Sequence, residues 1–460
     1  MKKLLVLASF LISSYTFAQT NPIITKWMQN TTVFGSYYTA ASGATPLTMT
    51  LKANCQKVQY DGAYVYVITR GIPSYPTGIF TGDGNTNLAG DQNAMYRFPL
   101  IPTPNTGTQS PTTGGNCGVF INGVSLFDYR DGVAWNNSTQ NICGGPPSNP
   151  ACPAGTAEWN RDAIPAEKLG FDCAKGHPAG TNYHHHQNPS AFKYDSTNSN
   201  SYSSICSLYD SEGLYVINPT QHSPLIGFAY DGYPIYGAYG YTNTNGTGPI
   251  TRMKSSYRLK TYPTGLRTNG PAINQVVGSQ TFFNGYFKED YEFVANPGDP
   301  TFLNINNGRV CNTPEYPASL YPNGIFCYFA TVDANNTSVY PYLIGPTFYG
   351  NKTATKFGTS TTTVVGSITY IPLAVNDFEK KNFTVFPNPA QDYFTVQTDF
   401  VENDLLVEVI NELGQVVLTN KILQGSTFCI IETDTIYNGI YFVRISNETN
   451  SQTHKIIINK

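Results

Sequence analysis

Charged residues are scarce in this sequence: lysine, arginine, aspartate and glutamate make up 12% of its 460 residues, about half the share of an average globular protein. The formal net charge is only -3, and no stripe of lysine or arginine is present. Proteins that bind nucleic acid need clustered positive charge to neutralise phosphates. The composition therefore argues against a dedicated nucleic-acid-binding protein.

Long apolar runs are also missing. The apolar run at residues 4–12 follows Lys2 and Lys3 and precedes a small-x-small site that ends at Ala18. This pattern is typical of a cleavable signal peptide over residues 1–18, because a membrane span needs about 20 apolar residues. We therefore expect an exported protein with no transmembrane segment in its mature form.

The nine cysteines include no C-x-x-C pair, which argues against a thiolate zinc site. Eight of them precede residue 383, and an even number in an oxidising compartment predicts disulfides. The neighbouring pairs Cys143–Cys152 and Cys311–Cys327 are the ones we expect, although the sequence does not decide the connectivity. Cys429 is left over, and we expect it to be buried as a small hydrophobic residue.

Aromatic residues are abundant, with 33 Tyr and 26 Phe, and 41 Gly and 31 Pro predict many tight turns. Short apolar runs such as residues 64–69 have the length and composition of strands. The predicted fold is mainly β: a large aromatic-rich β domain at residues 19–373, a linker at 374–382 and a small C-terminal β-sandwich at 383–460. One helix is expected near residues 157–169, interrupted by Pro165.

Four pieces of the last segment carry a resemblance: residues 385–390 (VFPNPA), 411–417 (NELGQVV), 438–444 (NGIYFVR) and 455–460 (KIIINK). In this order they resemble the C-terminal sorting domain of the type IX secretion system. The resemblance implies that the type IX machinery is a partner. It also implies that the chain travels through the periplasm and ends secreted or on the outer cell surface.

Histidine is concentrated in one part of the chain. Of six histidines, five lie between positions 177 and 222: His177, His184, His185, His186 and His222. Successive side chains of a strand alternate between its two faces, so His184 and His186 would share a face about 6.5–7 Å apart. Tyr183 and His185 would point the other way.

Imidazoles that converge in this way are typical ligands of zinc and copper, whereas calcium and magnesium prefer oxygen ligands. A turn at residues 178–180 would bring His177 back over the pair. The predicted metal ligands are therefore His177, His184, His186 and His222, with Zn or Cu as the ion. Two other interpretations stay open: a hydrogen-bonded structural cluster, or an exposed histidine run.

The same region resembles the YHYH domain family, named after its Tyr-His-Tyr-His motif. The matching pieces are residues 176–186 (GHPAGTNYHHH) and 222–237 (HSPLIGFAYDGYPIYG), supported by residues 120–124 and 307–316. The resemblance covers roughly residues 53–350, and it implies the domain without implying a particular activity. His185 stands where the motif has its second Tyr. If position 185 faces away from the site, this change is tolerable.

Two acidic residues are weaker candidates for a catalytic role. Asp231 could bind the ion, orient a histidine or form only a turn hydrogen bond. Glu315 is a candidate general base. Three histidines with an open position would suit the activation of water for hydrolysis. The alternative is a surface protein that binds glycans or another partner, with structural histidines.

Overall fold

The structure is a computed structural model. It describes residues 21–39, 45–80, 87–145, 149–153, 158–191, 219–353, 356–371, 383–398, 401, 404–447 and 451–460. The predicted signal peptide (1–18) and linker (374–382) lie outside the described residues. Two compact units, Met1–Tyr370 and Ile371–Lys460, make up the chain. Among the described residues, no helix is long and apolar enough to cross a membrane.

The first unit consists of short strands, as its β-branched and aromatic composition predicts. In chain order they are β1 (Phe34–Tyr37), β2 (Leu47–Lys52), β3 (Cys55–Tyr60), β4 (Tyr64–Thr69), β5 (Ala94–Pro99), β6 (Asn116–Phe120), β7 (Ser125–Phe127), β8 (Arg130–Asn136), β9 (Asn141–Gly144), β10 (Trp159–Asp162), β11 (His177–Ala179), β12 (Asn182–His185), β13 (Leu225–Ala229), β14 (Pro234–Tyr236), β15 (Tyr239–Tyr241), β16 (Ile250–Arg252), β17 (Tyr257–Leu259), β18 (Gln275–Val277), β19 (Gln280–Phe282), β20 (Tyr291–Phe293), β21 (Gly308–Cys311), β22 (Ile325–Phe329), β23 (Lys356–Gly358) and β24 (Ile368–Tyr370).

The largest sheet of this unit has eight strands in the order β11-β12-β7-β6-β13-β14-β22-β21. Its central strands are buried on both faces: every residue of β13 is buried. A five-stranded sheet, β23-β5-β4-β3-β24, shares one apolar core with it. A three-stranded sheet, β10-β8-β9, lies in the same unit. The mainly β prediction is confirmed for this unit.

Helices are short in the described part of this unit. They are α1 (Pro22–Thr25), α2 (Ala163–Glu167) and the 3-10 helices Lys168–Gly170 and Lys288–Asp290. The helix expected near residues 157–169 is wrong in extent, because β10 pairs with β8 up to Asp162. Pro165 lies inside α2 and does not interrupt it. The first turn of a helix has no intrahelical partner for its N–H groups, so proline costs nothing there.

The second unit has seven strands: β25 (Thr384–Phe386), β26 (Tyr393–Gln397), β27 (Leu405–Asn411), β28 (Val416–Ile422), β29 (Phe428–Glu432), β30 (Gly439–Ser446) and β31 (Ser451–Ile458). They form two sheets, β25-β26-β29 and β28-β27-β30-β31. Buried residues alternate along β27 and β30, and one core contains side chains of both sheets. This confirms the small C-terminal β-sandwich.

The cysteines only partly follow the expectation. Cys143 and Cys152 form a disulfide, as predicted, and Cys173 is also disulfide-bonded. The Cys311–Cys327 prediction is wrong, because both are free and buried, as are Cys55, Cys117 and Cys429. The antiparallel register explains this: Cys311 lies opposite Ile325, and Cys327 lies opposite Arg309. The two thiols are therefore diagonal to one another across the strands.

Candidate metal centre

The histidine triplet lies on a β-hairpin at the edge of the eight-stranded sheet. Strands β11 and β12 pair antiparallel, with His177 opposite His184. Gly180 in the connecting turn has a φ of 59°, a conformation that glycine adopts at no steric cost. His177 therefore does fold back over the triplet, as the turn residues predict. Because cross-strand partners project from the same face, His177 and His184 lie side by side.

Three imidazoles converge on this face. His177, His184 and His186 are all buried, and one ring nitrogen of each lies within 4.8 Å of the others. The Nε2 atoms of His184 and His186 are 3.0 Å apart. Phe127 stacks on the His184 ring with centroids 3.8 Å apart, and Phe171 meets His177 edge-on at 4.8 Å. Apolar rings thus hold the imidazoles and leave the Nε2 atoms facing one another.

Main-chain carbonyl oxygens set the orientation of two of these rings. Nδ1 of His184 lies 2.9 Å from the Asn182 carbonyl oxygen, and Nδ1 of His186 lies 2.5 Å from that of Asp128. β12 runs parallel to β7, which brings the residue after β7 beside His186. A carbonyl oxygen only accepts hydrogen bonds, so each Nδ1 carries the hydrogen. Each neutral ring therefore has its lone pair on Nε2.

Two lone pairs 3.0 Å apart repel each other unless a cation or a proton lies between them. Burial, followed by the neighbouring His186 and His177, holds the pKa of His184 well below its ordinary value. His184 therefore stays neutral and keeps its Nε2 lone pair. This is the protonation state that a metal ligand requires.

Glu167, at the end of α2, is the acidic residue beside the cluster. Its Oε2 atom lies 3.2 Å from His177 Nε2 and 3.3 Å from His186 Nε2. The oxygen is buried, and neither contact has the geometry of a hydrogen bond. Burial alone would raise the pKa of Glu167, but its contacts with His177 and His186 in their protonated form hold that pKa well below the usual range. An ionised carboxylate therefore faces the imidazoles.

Sequence reasoning missed Glu167. It lies ten residues before His177, which is the only signal that could have selected it. Two other acidic residues near it in sequence are used differently: Asp172 lies closer to His177 than Glu167 does, and Asp162 lies five residues farther away. Asp162 caps α2 and accepts a hydrogen bond from Tyr342, whereas Asp172 accepts one from Tyr183. Proximity in sequence alone does not separate these roles.

The opposite face of β12 belongs to the core. The Tyr183 hydroxyl donates to Asp172 at 2.8 Å, and His185 Nε2 lies 2.9 Å from the Tyr75 hydroxyl. The His185 ring also meets Phe120 edge-on, with centroids 5.5 Å apart. Burial lowers the pKa of His185 to about 3. The alternation expected for the triplet is therefore present, and the His185 replacement faces away from the cluster.

His222, the fourth predicted ligand, does not join the cluster. Its Nδ1 atom lies 2.7 Å from the Ser223 carbonyl oxygen, and its ring packs against Tyr236 and Tyr241. The strand order explains the separation. His222 precedes β13, which lies three strand positions from β12, and each strand spacing is about 4.8 Å. Roughly 14 Å of sheet therefore separates His222 from the triplet.

Asp231 and Glu315 also lie elsewhere. Asp231 is fully buried and accepts hydrogen bonds from the Tyr328 hydroxyl at 2.6 Å and the Gly350 N–H at 2.8 Å. Glu315 accepts a hydrogen bond from the Tyr236 hydroxyl at 3.1 Å and pairs with Lys26 at 3.4 Å. Their positions favour structural roles, and neither is in the described cluster of candidate ligands.

The cluster lines a cavity of about 960 Å³. The lining also includes Phe127, Arg130, Asp131, Arg161 and several glycines. A volume of this size is typical of sites that bind small molecules. The imidazoles are thus buried and Glu167 is partly buried, yet all of them adjoin a space that a ligand could enter.

A mainly β domain with a histidine hairpin beside a cavity is the class that these features define. Residues 95–340, more than half of the 460-residue chain, match the family model described as YHYH protein, and the chain belongs to the YHYH protein family. Residues 384–459 match the model described as secretion system C-terminal sorting domain. Both resemblances seen in the sequence are confirmed. The protein is therefore secreted or displayed on the outer surface, with the type IX secretion machinery as a partner.

Other comparisons add little. No curated protein matches this chain. One similar solved structure is a DUF3244 family protein with an immunoglobulin-like β-sandwich fold from Bacteroides vulgatus. It is 18% identical, and the match covers 17% of this chain and 87% of that chain, with a TM-score of 0.16.

Proposed function

We propose that this protein is an exported metalloprotein in which His177, His184, His186 and Glu167 bind one divalent ion. The observation that carries the proposal is the 3.0 Å separation of the His184 and His186 Nε2 atoms, with both Nδ1 atoms turned to carbonyl oxygens. A cation between these nitrogens turns a repulsive arrangement into a favourable one.

Three of the separations are close to those expected around a bound ion. Ligand atoms about 2.05 Å from a tetrahedral ion lie about 3.3 Å from one another. The Glu167 Oε2 atom is 3.2 Å and 3.3 Å from two of the nitrogens, and the facing nitrogens are 3.0 Å apart. Zinc prefers tetrahedral sites, whereas Cu(II) prefers tetragonal ones. We therefore favour zinc, with copper as the second choice.

The neighbouring cavity favours a catalytic centre over a purely structural one. Structural zinc sites are closed, whereas this cluster lines a space of about 960 Å³. Zinc lowers the pKa of a bound water to near 7 and can expand its coordination number to admit that water. Hydrolysis of a small substrate in this cavity is the activity that we propose. It should disappear when the metal is removed and return with zinc.

The alternative function, glycan binding on tyrosine-rich clefts, has less support. Phe127 is the one aromatic side chain in the described lining of the cavity. Many tyrosines are instead fully buried, and Tyr183, Tyr328 and Tyr342 donate hydrogen bonds to buried aspartates. These aromatic residues stabilise the core and present no flat surface to a sugar.

Metal analysis of the purified full-length protein tests the proposal. We expect about one zinc or copper ion per chain, and calorimetric titration of the metal-stripped protein should recover the same stoichiometry. Glu167→Gln should weaken zinc binding by about 10–100-fold, because it replaces a charged ligand with a neutral amide. Absence of binding by the parent protein would refute the metal centre.

The export route is a separate part of this proposal. We expect that deletion of residues 383–460 leaves a folded first unit in the periplasm, because the signal peptide and the sorting domain serve different membranes. Cell fractionation with an antibody against the first unit measures this. Normal secretion or surface display of the truncated chain would contradict it.

A further inference from the structure

Two arginines share the cavity with the histidine cluster. Arg130 begins β8, Arg161 lies on β10, and these strands are antiparallel neighbours in which Arg130 is opposite Asp162. Both arginines line the cavity. The sequence contains 27 lysines and arginines in all, so two arginines beside one histidine cluster are a notable concentration of positive charge.

Each arginine is held by a buried carboxylate. Arg130 binds Asp128 through Nε at 2.6 Å and through Nη2 at 3.1 Å, and it also donates to the Thr112 carbonyl oxygen. Arg161 donates from Nε to Asp131. Side chains fixed in this way lose little further entropy when they bind a ligand. The two guanidinium groups are therefore preorganised.

The exposed side chains of these two ion pairs are the arginines. The side chains of Arg130 and Arg161 are 19% and 15% exposed, whereas those of Asp128 and Asp131 are 0% exposed. The hydrogen bonds of Arg130 use Nε and Nη2, so its Nη1 has no hydrogen-bond partner among the described residues. With Glu167 neutralised as a ligand of a divalent ion, the arginines and the ion together leave a net positive site.

The lining also provides room next to these charges. Gly114, Gly115 and Gly180 line the cavity, and no atom lies within 4 Å of the position that a Cβ would take at any of them. The wall at these places is bare backbone. A ligand larger than the anion itself can therefore be accommodated.

We infer that the cavity recognises a ligand that carries an oxyanion, a carboxylate, sulfate or phosphate, which is bound by Arg130 and Arg161 next to the metal centre. This inference rests on the proposed function, because the metal ion cancels the charge of Glu167 that would otherwise repel the anion. The planar guanidinium fork matches the geometry of such groups. The substrate of the proposed hydrolysis is accordingly an anionic molecule.

Titration of inorganic phosphate into the full-length protein tests this inference, with and without one equivalent of zinc. The key variant is Arg161→Gln combined with Asp131→Asn, which removes the charge pair without leaving a buried carboxylate unpaired. We expect phosphate binding by the zinc-loaded parent to weaken by about tenfold or more in this variant. Arg161→Lys keeps the charge but loses the planar guanidinium fork, so its phosphate affinity should lie between those of the parent and the double variant.

A matched control removes an exposed charge pair from the same unit: Arg258→Gln with Glu292→Gln. These side chains are 67% and 41% exposed, and their loss should leave phosphate affinity unchanged. Zinc affinity is measured in every variant and should stay within about threefold of the parent.

The outcomes separate the two proposals. Zinc binding without phosphate binding, or equal phosphate affinity in the parent and the Arg161 variants, would overturn the anion site and leave the metal centre intact. Phosphate binding that depends on Arg161 in a protein that binds no zinc would support the arginine site and refute the metal centre.

Discussion

The two motif segments of this chain, residues 177–186 and 222–237, both carry histidine and lie in the same sheet, but only the first brings several imidazoles together. In the first, Nε2 atoms of neighbouring imidazoles face one another at 3.0 Å. In the second, His222 bonds to the adjacent Ser223 carbonyl oxygen and Asp231 accepts from Tyr328. Nε2 of His222 is also buried and unpaired, so histidines gathered in sequence form a site only where the fold brings their free ring nitrogens together.

The largest expected effect is the loss of metal affinity when a ligand of the first segment is removed. His184→Ala and His186→Ala should each weaken zinc binding by about 10²–10³-fold, because apparent binding energies of about 10–16 kcal/mol are shared among four ligands. His222→Ala should change it by less than about threefold. Calorimetry on metal-stripped variants measures all three. Equal losses of zinc affinity in His184→Ala and His222→Ala would contradict the assignment of the metal centre to the first segment.

The second segment should matter to stability instead. Asp231→Ala leaves the Tyr328 hydroxyl and the Gly350 N–H buried without their acceptor, which should cost about 2–4 kcal/mol of unfolding free energy. Zinc affinity per folded molecule should not change. Urea denaturation measures the loss, with Glu292→Ala as the control for removal of a partly exposed acidic residue. A loss of zinc affinity in Asp231→Ala would contradict this prediction, because it would show that the second segment contributes to the metal centre.

The pH dependence of stability gives a second test of the structural role of Asp231. Burial raises the pKa of Asp231 to about 6, above the value of about 3.9 in an unfolded chain. The folded state then binds more protons between these values, so this contribution to stability is present below pH 3.9 and is lost as pH rises through about 6. Relative to Asp231→Asn, the parent should lose on the order of 2–3 kcal/mol between pH 4 and pH 7. Denaturation of the metal-stripped proteins across that range gives the difference; parallel curves would contradict the assignment.

The smallest effect should come from His185→Tyr, which restores the second tyrosine of the family motif. Position 185 faces Tyr75 and Phe120 in the core, so zinc affinity should stay within about threefold of the parent. Some loss of stability is expected, because a larger ring enters a fully buried position. A loss of affinity as large as that of His184→Ala would mean that both faces of the hairpin reach the ion.

Local features of this protein could be predicted from its sequence, and distant ones could not. Alternation along the triplet, the turn at Gly180 and the Cys143–Cys152 disulfide each depend on residues close together in the chain, and all three are present. The separation of His222 depends on the order of strands in a sheet, which no local pattern encodes. Glu167 was missed for the same reason, since its contact with the cluster depends on how α2 packs.

The predicted Cys311–Cys327 disulfide was wrong because closeness in sequence does not determine the register in which two strands pair. Cys311 and Cys327 lie on adjacent strands, but the pairing is offset by two residues. The helix predicted near residues 157–169 was wrong in extent because residues 159–162 pair with β8 and form strand β10 instead. In both cases the residue types were suitable for the predicted feature, but pairing with a neighbouring strand determined the structure that formed.

The carbonyl oxygens of Asn182 and Asp128 orient the two central histidines through the main chain. Because every amino acid provides a carbonyl, mutations at these two positions can change the side chain without turning either ring. The orientation of His186 is thus inherited with the pairing of β12 and β7, and that of His184 with β12 itself, and neither leaves a signature in the residue types beside it. A related protein with other residues at these two positions would keep the ring orientation. A search for partner side chains would overlook it, whereas a comparison of backbones would find it.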